Sequence, residues 1–170
     1  MGLLGSEHLD SMRDLITHQL QDLYDAEARL ISTYPKMIDK ATEPQLKQQL
    51  TSDLELAKVQ RERLKGVMEQ FDITAERETC EAMKGLIKEA SGMLDAKGEP
   101  AVIDAALIMS AQRLLHYKLA GYGSARCQAA AEGRDDLAGL LDQTVDEAHA
   151  SNSALAELAT SVVNKHAAAA

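Results

Sequence analysis

The stretch DEAH near the C-terminus places Asp146, Glu147 and His149 within four residues. Asp146 and His149 are three positions apart, so on a helix both project from one face towards a common point. Carboxylate with imidazole suits iron or manganese. Glu27, in DLYDAEARL, lies three or four residues from Leu23, Leu30 and Ile31 and borders their apolar stripe. Asp53 and Glu55 stand together in SDLEL, but Lys58 occupies the position where a Glu-x-x-His beginning at Glu55 would end. His116 sits in LLHYK, in a span without any acid between Asp104 and Glu132. Glu27, Glu55, His116, Asp146, Glu147 and His149 therefore form a thin, rearranged candidate ligand set. Against it, an acid at the rim of a stripe is as readily a solvated residue, and a lone histidine more often packs or faces water.

The elements that must position these residues are helices. Leu9, Met12, Ile16, Leu20, Leu23, Leu30, Ile31, Tyr34 and Ile38 recur at helical spacing and predict a first helix from about Leu9 to about Lys40. Ser11 or Asp10 is its expected cap, and Pro35 is expected to end or kink it, because proline removes a backbone donor. In ATEPQLKQQL, Thr42 and Gln45 resemble a capping box and Pro44 suits a first turn. The second helix then runs to about Phe71. DITAERET is an expected loop, and a shorter helix spans about Cys80 to Leu94. DAKGEP breaks the chain. Two more long helices follow, about Pro100 to Ala131 and about Asp135 to Asn164, separated at Gly133, and the terminal HAAAA is expected to fray.

Four helices of roughly 30 residues would each measure about 45 Å. Short links make the first two an antiparallel hairpin, and likewise the last two. The segment between the pairs is long enough to run the length of a bundle. Two hairpins joined by one long crossover is the ferritin-like topology, in an all-α chain with a short fifth helix inside the crossover. One domain is expected over residues 1–170, with the bundle over about 9–164. Bundles of this kind often hold two metal ions, with one Glu from each of two helices and a Glu-x-x-His from each of the others. Only the last helix here carries a carboxylate-x-x-His.

Composition limits the function classes. Apolar residues make up 45% of the 170 and charged residues 26%, which reads as a folded globular chain. The net charge of −9 argues against nucleic-acid partners and anionic membrane surfaces. No apolar run approaches the ~18 residues of a membrane span. The N-terminal MGLLGSEHLDSMRDL lacks the pattern of a signal peptide, so the cytoplasm is the expected compartment. Two cysteines, Cys80 and Cys127, give neither a disulfide framework nor a CxxC site. A helix start beside Cys80 would lower its thiol pKa. Tyr24, Tyr117 and Tyr122 read as core phenols with hydrogen-bonded tips, the other role being electron relay beside a metal site.

Seven stretches carry a family resemblance: LQDLYDAEARL (Leu20–Leu30), YPKM (Tyr34–Met37), LKQQLTSDLE (Leu46–Glu55), QRERL (Gln60–Leu64), CEAMKGLIKEA (Cys80–Ala90), DAALIMSAQRLLHYKLAGYG (Asp104–Gly123) and DEAHASNSALAELA (Asp146–Ala159). They resemble, in order, the YciE/YciF-like proteins, bacterial ferritin-like proteins associated with stress response and without an assigned reaction. The resemblance implies a dimer. It also implies acids that this chain lacks. The family's Leu-Glu-Glu-Thr is here LELA, with Leu56 and Ala57. Its Glu-His-Tyr-Glu is LHYK, with Leu115 and Lys118. An Asp expected after the last acidic pair is Ser151.

Lys118 lies four residues after Leu114 and three before Gly121, a spacing that points it at the bundle centre. An unpaired ammonium there would be costly. Glu27 and Glu147 are its expected partners, in a buried charge cluster where Lys118 stands in place of a metal ion. Snorkelling to solvent along its four-carbon stem is the other expectation. The leading functional expectation is thus a stress-associated, non-enzymatic bundle with a degenerate di-metal site. It would bind no metal at full occupancy and act as a homodimer or through a protein partner, without nucleic acid or membrane. The alternative is a di-iron or di-manganese oxidase, peroxidase or storage protein using the six candidates above. A DNA-protecting cage is disfavoured by the acidic balance.

Overall fold

The structure, a computed structural model, describes residues 9–75 and 78–170. Five helices carry the fold: α1 Met12–Lys40, α2 Pro44–Gln70, α3 Glu81–Leu94, α4 Pro100–Ala131 and α5 Asp135–Leu158. A π turn, Ala159–Val163, then leads into α6, Asn164–Ala169. No strand occurs among the described residues. α1 packs chiefly on α2 and α4 chiefly on α5, while α1–α4 and α2–α5 contacts close the four-sided bundle. α3 lies in the crossover against α1 and α4. This is the ferritin-like arrangement of two hairpins. The signal-peptide reading rests partly on residues 1–8, and the loop expected over DITAERET includes 76–77; both lie outside the described residues.

Local chemistry sets the ends. Ser11 caps α1 by accepting the Asp14 N–H at 3.1 Å, so the helix begins at Met12 and not at Leu9, which is exposed. α1 continues through Pro35 to Lys40. Pro35 is exposed, so water can satisfy the carbonyl it frees, and buried Tyr34 and Met37 hold the helix on either side. The Thr42 capping box does not form. Glu43 is the N-cap of α2, and Thr42 instead binds Asp104 of α4 through its N–H at 2.8 Å and its hydroxyl at 2.6 Å. The Glu43 N–H joins the same carboxylate at 2.8 Å, so a buried acid ties the α1–α2 turn to α4. Gly133, at φ +72, takes the left-handed turn between α4 and α5 that favours glycine. The last helix differs from expectation at both levels. Its π turn widens the rod after Leu158, and the alanine-rich tail is helical to Ala169, because alanine is the best helix former and buried Val163 anchors the turn before it.

The core is two apolar clusters stacked along the bundle. One gathers Leu30, Tyr34, Leu50, Ala57, Leu107, Leu115, Ala148 and Leu155; the other gathers Leu20, Leu23, Leu64, Val67, Tyr122, Ala125, Leu137 and Leu141. On all four long helices the change of cluster falls at a polar position: Glu27, Gln60, Lys118 and Thr144 with Glu147.

Candidate functional site

The heptad-like rows explain why this polar layer is buried. On α1, Ile16, Leu20, Leu23, Glu27, Leu30, Tyr34 and Met37 form one row. On α2 the row is Leu46, Leu50, Asp53, Ala57, Gln60, Leu64 and Val67. Each polar member points inward because its row neighbours do. Lys118 continues the Ala111, Leu114 or Leu115, Tyr122, Ala125 row of α4. Gly121 lets α4 approach α1 at that level. A Cβ there would sit 2.6 Å from Leu23 Cδ2.

Lys118 and Glu27 meet as a result. Lys118 Nζ is 2.8 Å from Glu27 Oε1, with side chains 3% and 1% exposed. The ammonium also donates to Gln60 Oε1. Tyr122 donates its phenolic proton to Glu27 Oε1 at 2.9 Å. Glu27 Oε2 is buried without a hydrogen-bond partner, as is Oδ2 of Asp53. Glu147 does not reach Lys118 directly. Arg63 takes it in a bidentate pair at 2.8 Å on both oxygens, and Gln60 Nε2 donates to its Oε2 at 2.9 Å. Gln60 thus bridges the two ion pairs, its oxygen on Lys118 and its nitrogen on Glu147. Arg63 also donates to the Thr144 hydroxyl at 2.8 Å.

Environment shifts the titratable groups. Burial pushes the Asp53 carboxyl above its ordinary range, against the lowering effects of Ser151, Gln49 and the Lys118 charge. Partial burial pushes Glu147 upward, but the bonds from Arg63 and Gln60 more than offset this and leave it below its ordinary value. Burial, then the charge and hydrogen bond of Glu27, hold the Tyr122 proton on well above the phenol range. Tyr34 is raised by burial and by the charges of Asp53 and Glu27. Cys80, expected to have a lowered pKa, is pushed up to about 11, chiefly by burial. Its thiol donates to Tyr117 at 3.0 Å, and Tyr117 donates in turn to Asp22.

The remaining metal-ligand candidates stand apart from this layer. Glu55 is exposed and paired with Lys58 at 2.7 Å. His116, Asp146 and His149 are exposed, and the His116 ring faces the Gln112 carbonyl of its own helix at 2.8 Å. The reason is rotation. A helix turns about 100° per residue, so positions flanking a buried one reach solvent. Ala148 and Ser151 take the inward positions on α5. Among the described residues no three His, Cys, Asp or Glu side chains are placed to hold a metal ion. The six candidates are thus not gathered around one point, and the Lys118 ammonium lies against Glu27.

The positions where the family resemblance leads one to expect acids do converge. Leu56, Leu115, Lys118 and Ser151 line one narrow internal gap together with Asp53 and Gln60, leaving no room for a water molecule. Gln60 and Arg63 belong to the layer and were not singled out from sequence, whereas Asp53, noted there beside Glu55, is buried next to it. The row spacing on α2 was the available signal for Gln60; Arg63 had none, because its partner is on another helix.

Comparison with known proteins agrees with this architecture. The family described as a domain of unknown function (DUF892) matches residues 11–168. Protein YciF of Escherichia coli (strain K12) is 34% identical over 161 residues, covering 94% of this chain and 97% of YciF. The crystal structure of the E. coli stress protein YciF superposes with a TM-score of 0.88, covering 92% of this chain and 99% of that one. YcfI from Rhodopseudomonas palustris is 37% identical at a TM-score of 0.85, covering 89% and 97%.

Proposed function

The chain belongs to the DUF892 family, and from that premise we propose that it is a metal-independent ferritin-like protein of stress physiology. In this reading the Lys118 ammonium takes the place of a metal ion, and the protein acts as a homodimer through a protein partner, without turning over a substrate. One observation carries the reading. Lys118 is paired with Glu27 and lines the gap where Leu56, Leu115 and Ser151 replace expected acids. A fixed +1 charge neutralises a buried carboxylate that would otherwise need a metal, a proton or another partner. The stress association rests on likeness to the stress protein YciF.

The test is metal content per chain, by elemental mass spectrometry, after chelator-free purification from iron- and manganese-supplemented cells. Near zero, with the chain folded, is the expected result. Two ions per chain would overturn it. The quadruple variant Leu56→Glu, Leu115→Glu, Lys118→Glu, Ser151→Asp should acquire metal under the same conditions.

A further inference from the structure

Four tyrosines lie in this chain, and one has the surroundings of a redox-active phenol. Tyr122 is 1% exposed, and its hydroxyl donates to Glu27 Oε1 at 2.9 Å. Glu27 keeps a second oxygen without a partner, so it has capacity to accept a proton. The other tyrosines are less suited. Tyr24 lies under the Arg61 guanidinium at 4.3 Å, nearer than the Lys118 ammonium lies to the Tyr122 ring at 6.0 Å, and a cation so close opposes loss of an electron. Tyr34 is buried beside the charges of Asp53 and Glu27, but its hydroxyl makes no hydrogen bond to either carboxylate. Tyr117 also donates to a carboxylate, but it is only half-buried, and the Cys80 thiol donates to its oxygen at 3.0 Å. A thiol at that distance would quench a phenoxyl radical by giving up its hydrogen atom.

We propose that Tyr122 is a one-electron redox site, giving up an electron to an oxidant of the peroxyl- or hydroxyl-radical class and its phenolic proton to Glu27. The step balances. Tyr122–OH and the Glu27 carboxylate become a neutral tyrosyl radical and a carboxylic acid, and the electron reduces the oxidant. An oxidised phenol is a very strong acid, so oxidation needs a base already in contact, and Glu27 is in hydrogen-bond range beforehand. Lys118 then loses its charged partner but keeps Gln60, with Asp53 lining the same gap. A thiol-class reductant reverses the step, with the proton returning along the same bond. The dry, close-packed surroundings keep the radical from water and from other radicals. The protein would then act as a radical sink. This rests on the metal-independent reading of the same cluster.

The experiment oxidises the full chain with photogenerated tris(bipyridine)ruthenium(III) and follows electron paramagnetic resonance after the short-lived surface signals have decayed. A persistent tyrosyl signal is expected in the parent protein, in Tyr24→Phe, in Tyr34→Phe and in Tyr117→Phe. It should be lost in Tyr122→Phe, which preserves the ring and its packing, and be weakened in Glu27→Gln, which keeps an acceptor but not a base. No persistent signal in the parent, or one that survives Tyr122→Phe, overturns the assignment. Metal counted in the same samples addresses the underlying reading separately: bound metal would sink that reading, whereas the Tyr122 assignment stands or falls on its own variant.

Discussion

Lys118 is held between one carboxylate and one amide, and it has no water to fall back on. Breaking a buried ion pair from one side leaves the other charge uncompensated, at a cost of about 3–5 kcal/mol. Lys118→Met should therefore lower the unfolding free energy, from denaturant titration, by that much, and Glu27→Gln combined with Lys118→Met should recover a part. Unchanged stability in the single variant would remove the pair from the account. Asp53 gives a pH signature. Its folded pKa is raised, so its contribution to stability is fully present below the unfolded value of about 4 and is lost as pH rises through the folded value. Asp53→Asn should flatten that decline, seen as denaturation midpoints that converge at low pH and separate at high pH. Glu147 runs the other way. Its folded pKa is lowered, so its contribution is present above the unfolded value and is lost on acidification. Sequence spacing put Glu27 at the border of an apolar stripe and left Lys118 either facing the bundle centre or reaching solvent; the structure buries both. The sequence also offered Glu147 to Lys118, and there Arg63 competes successfully, because a planar guanidinium binds both carboxylate oxygens.

At the level of elements, close approach of α4 to α1 depends on Gly121. Adding a Cβ gains about 1 kcal/mol of helix propensity, but overpacking against fully buried Leu23 costs about 1–3 kcal/mol. Gly121→Ala should be destabilising on balance and should weaken the Lys118–Glu27 contact. Gly139→Ala, on an exposed face of α5 with open space around it, should instead stabilise by about 0.5–1 kcal/mol. Thermal or denaturant unfolding of both variants checks the pair of signs. α3 is pinned by its first residues. The Cys80 N–H donates to Asp25 at 2.9 Å, and its sulfur caps the helix by accepting the Met83 N–H. With a buried, raised-pKa thiol here and an exposed one at Cys127, a thiol reagent should modify one cysteine per chain quickly and the second only on unfolding. Fast modification of both would show that the crossover opens on its own. Helix existence was legible from apolar spacing throughout. The cap at Thr42 was not, because its competitor Asp104 is 62 positions away in sequence.

Across the whole molecule, a polar layer separates two apolar clusters and fixes the register of the four helices against one another. Such a layer tolerates no sliding, since a one-turn shift would bury Lys118 or Glu27 against hydrocarbon. Substituting the layer by apolar residues of similar volume should raise thermal stability and loosen the uniqueness of the packing, measured as loss of chemical-shift dispersion in the methyl spectrum. Among the described residues no helix is long and apolar enough to cross a membrane. The net charge of −9, part of it on the buried acids Asp25, Glu27, Asp53 and Asp104, opposes an approach to phosphate backbones.

Sequence alone determined the helices, their pairing into two hairpins and the crossover. Those follow from period and link length, which are properties of neighbouring residues. Only the tertiary structure decided which charges meet. It gave Glu147 to Arg63, turned Glu55, His116, Asp146 and His149 to solvent, and gathered Leu56, Leu115, Lys118 and Ser151 around one gap. Periodicity assigns a residue to a face of its own helix. The partner opposite depends on the rotation and axial offset of another helix, and those are set by the packing of the entire bundle.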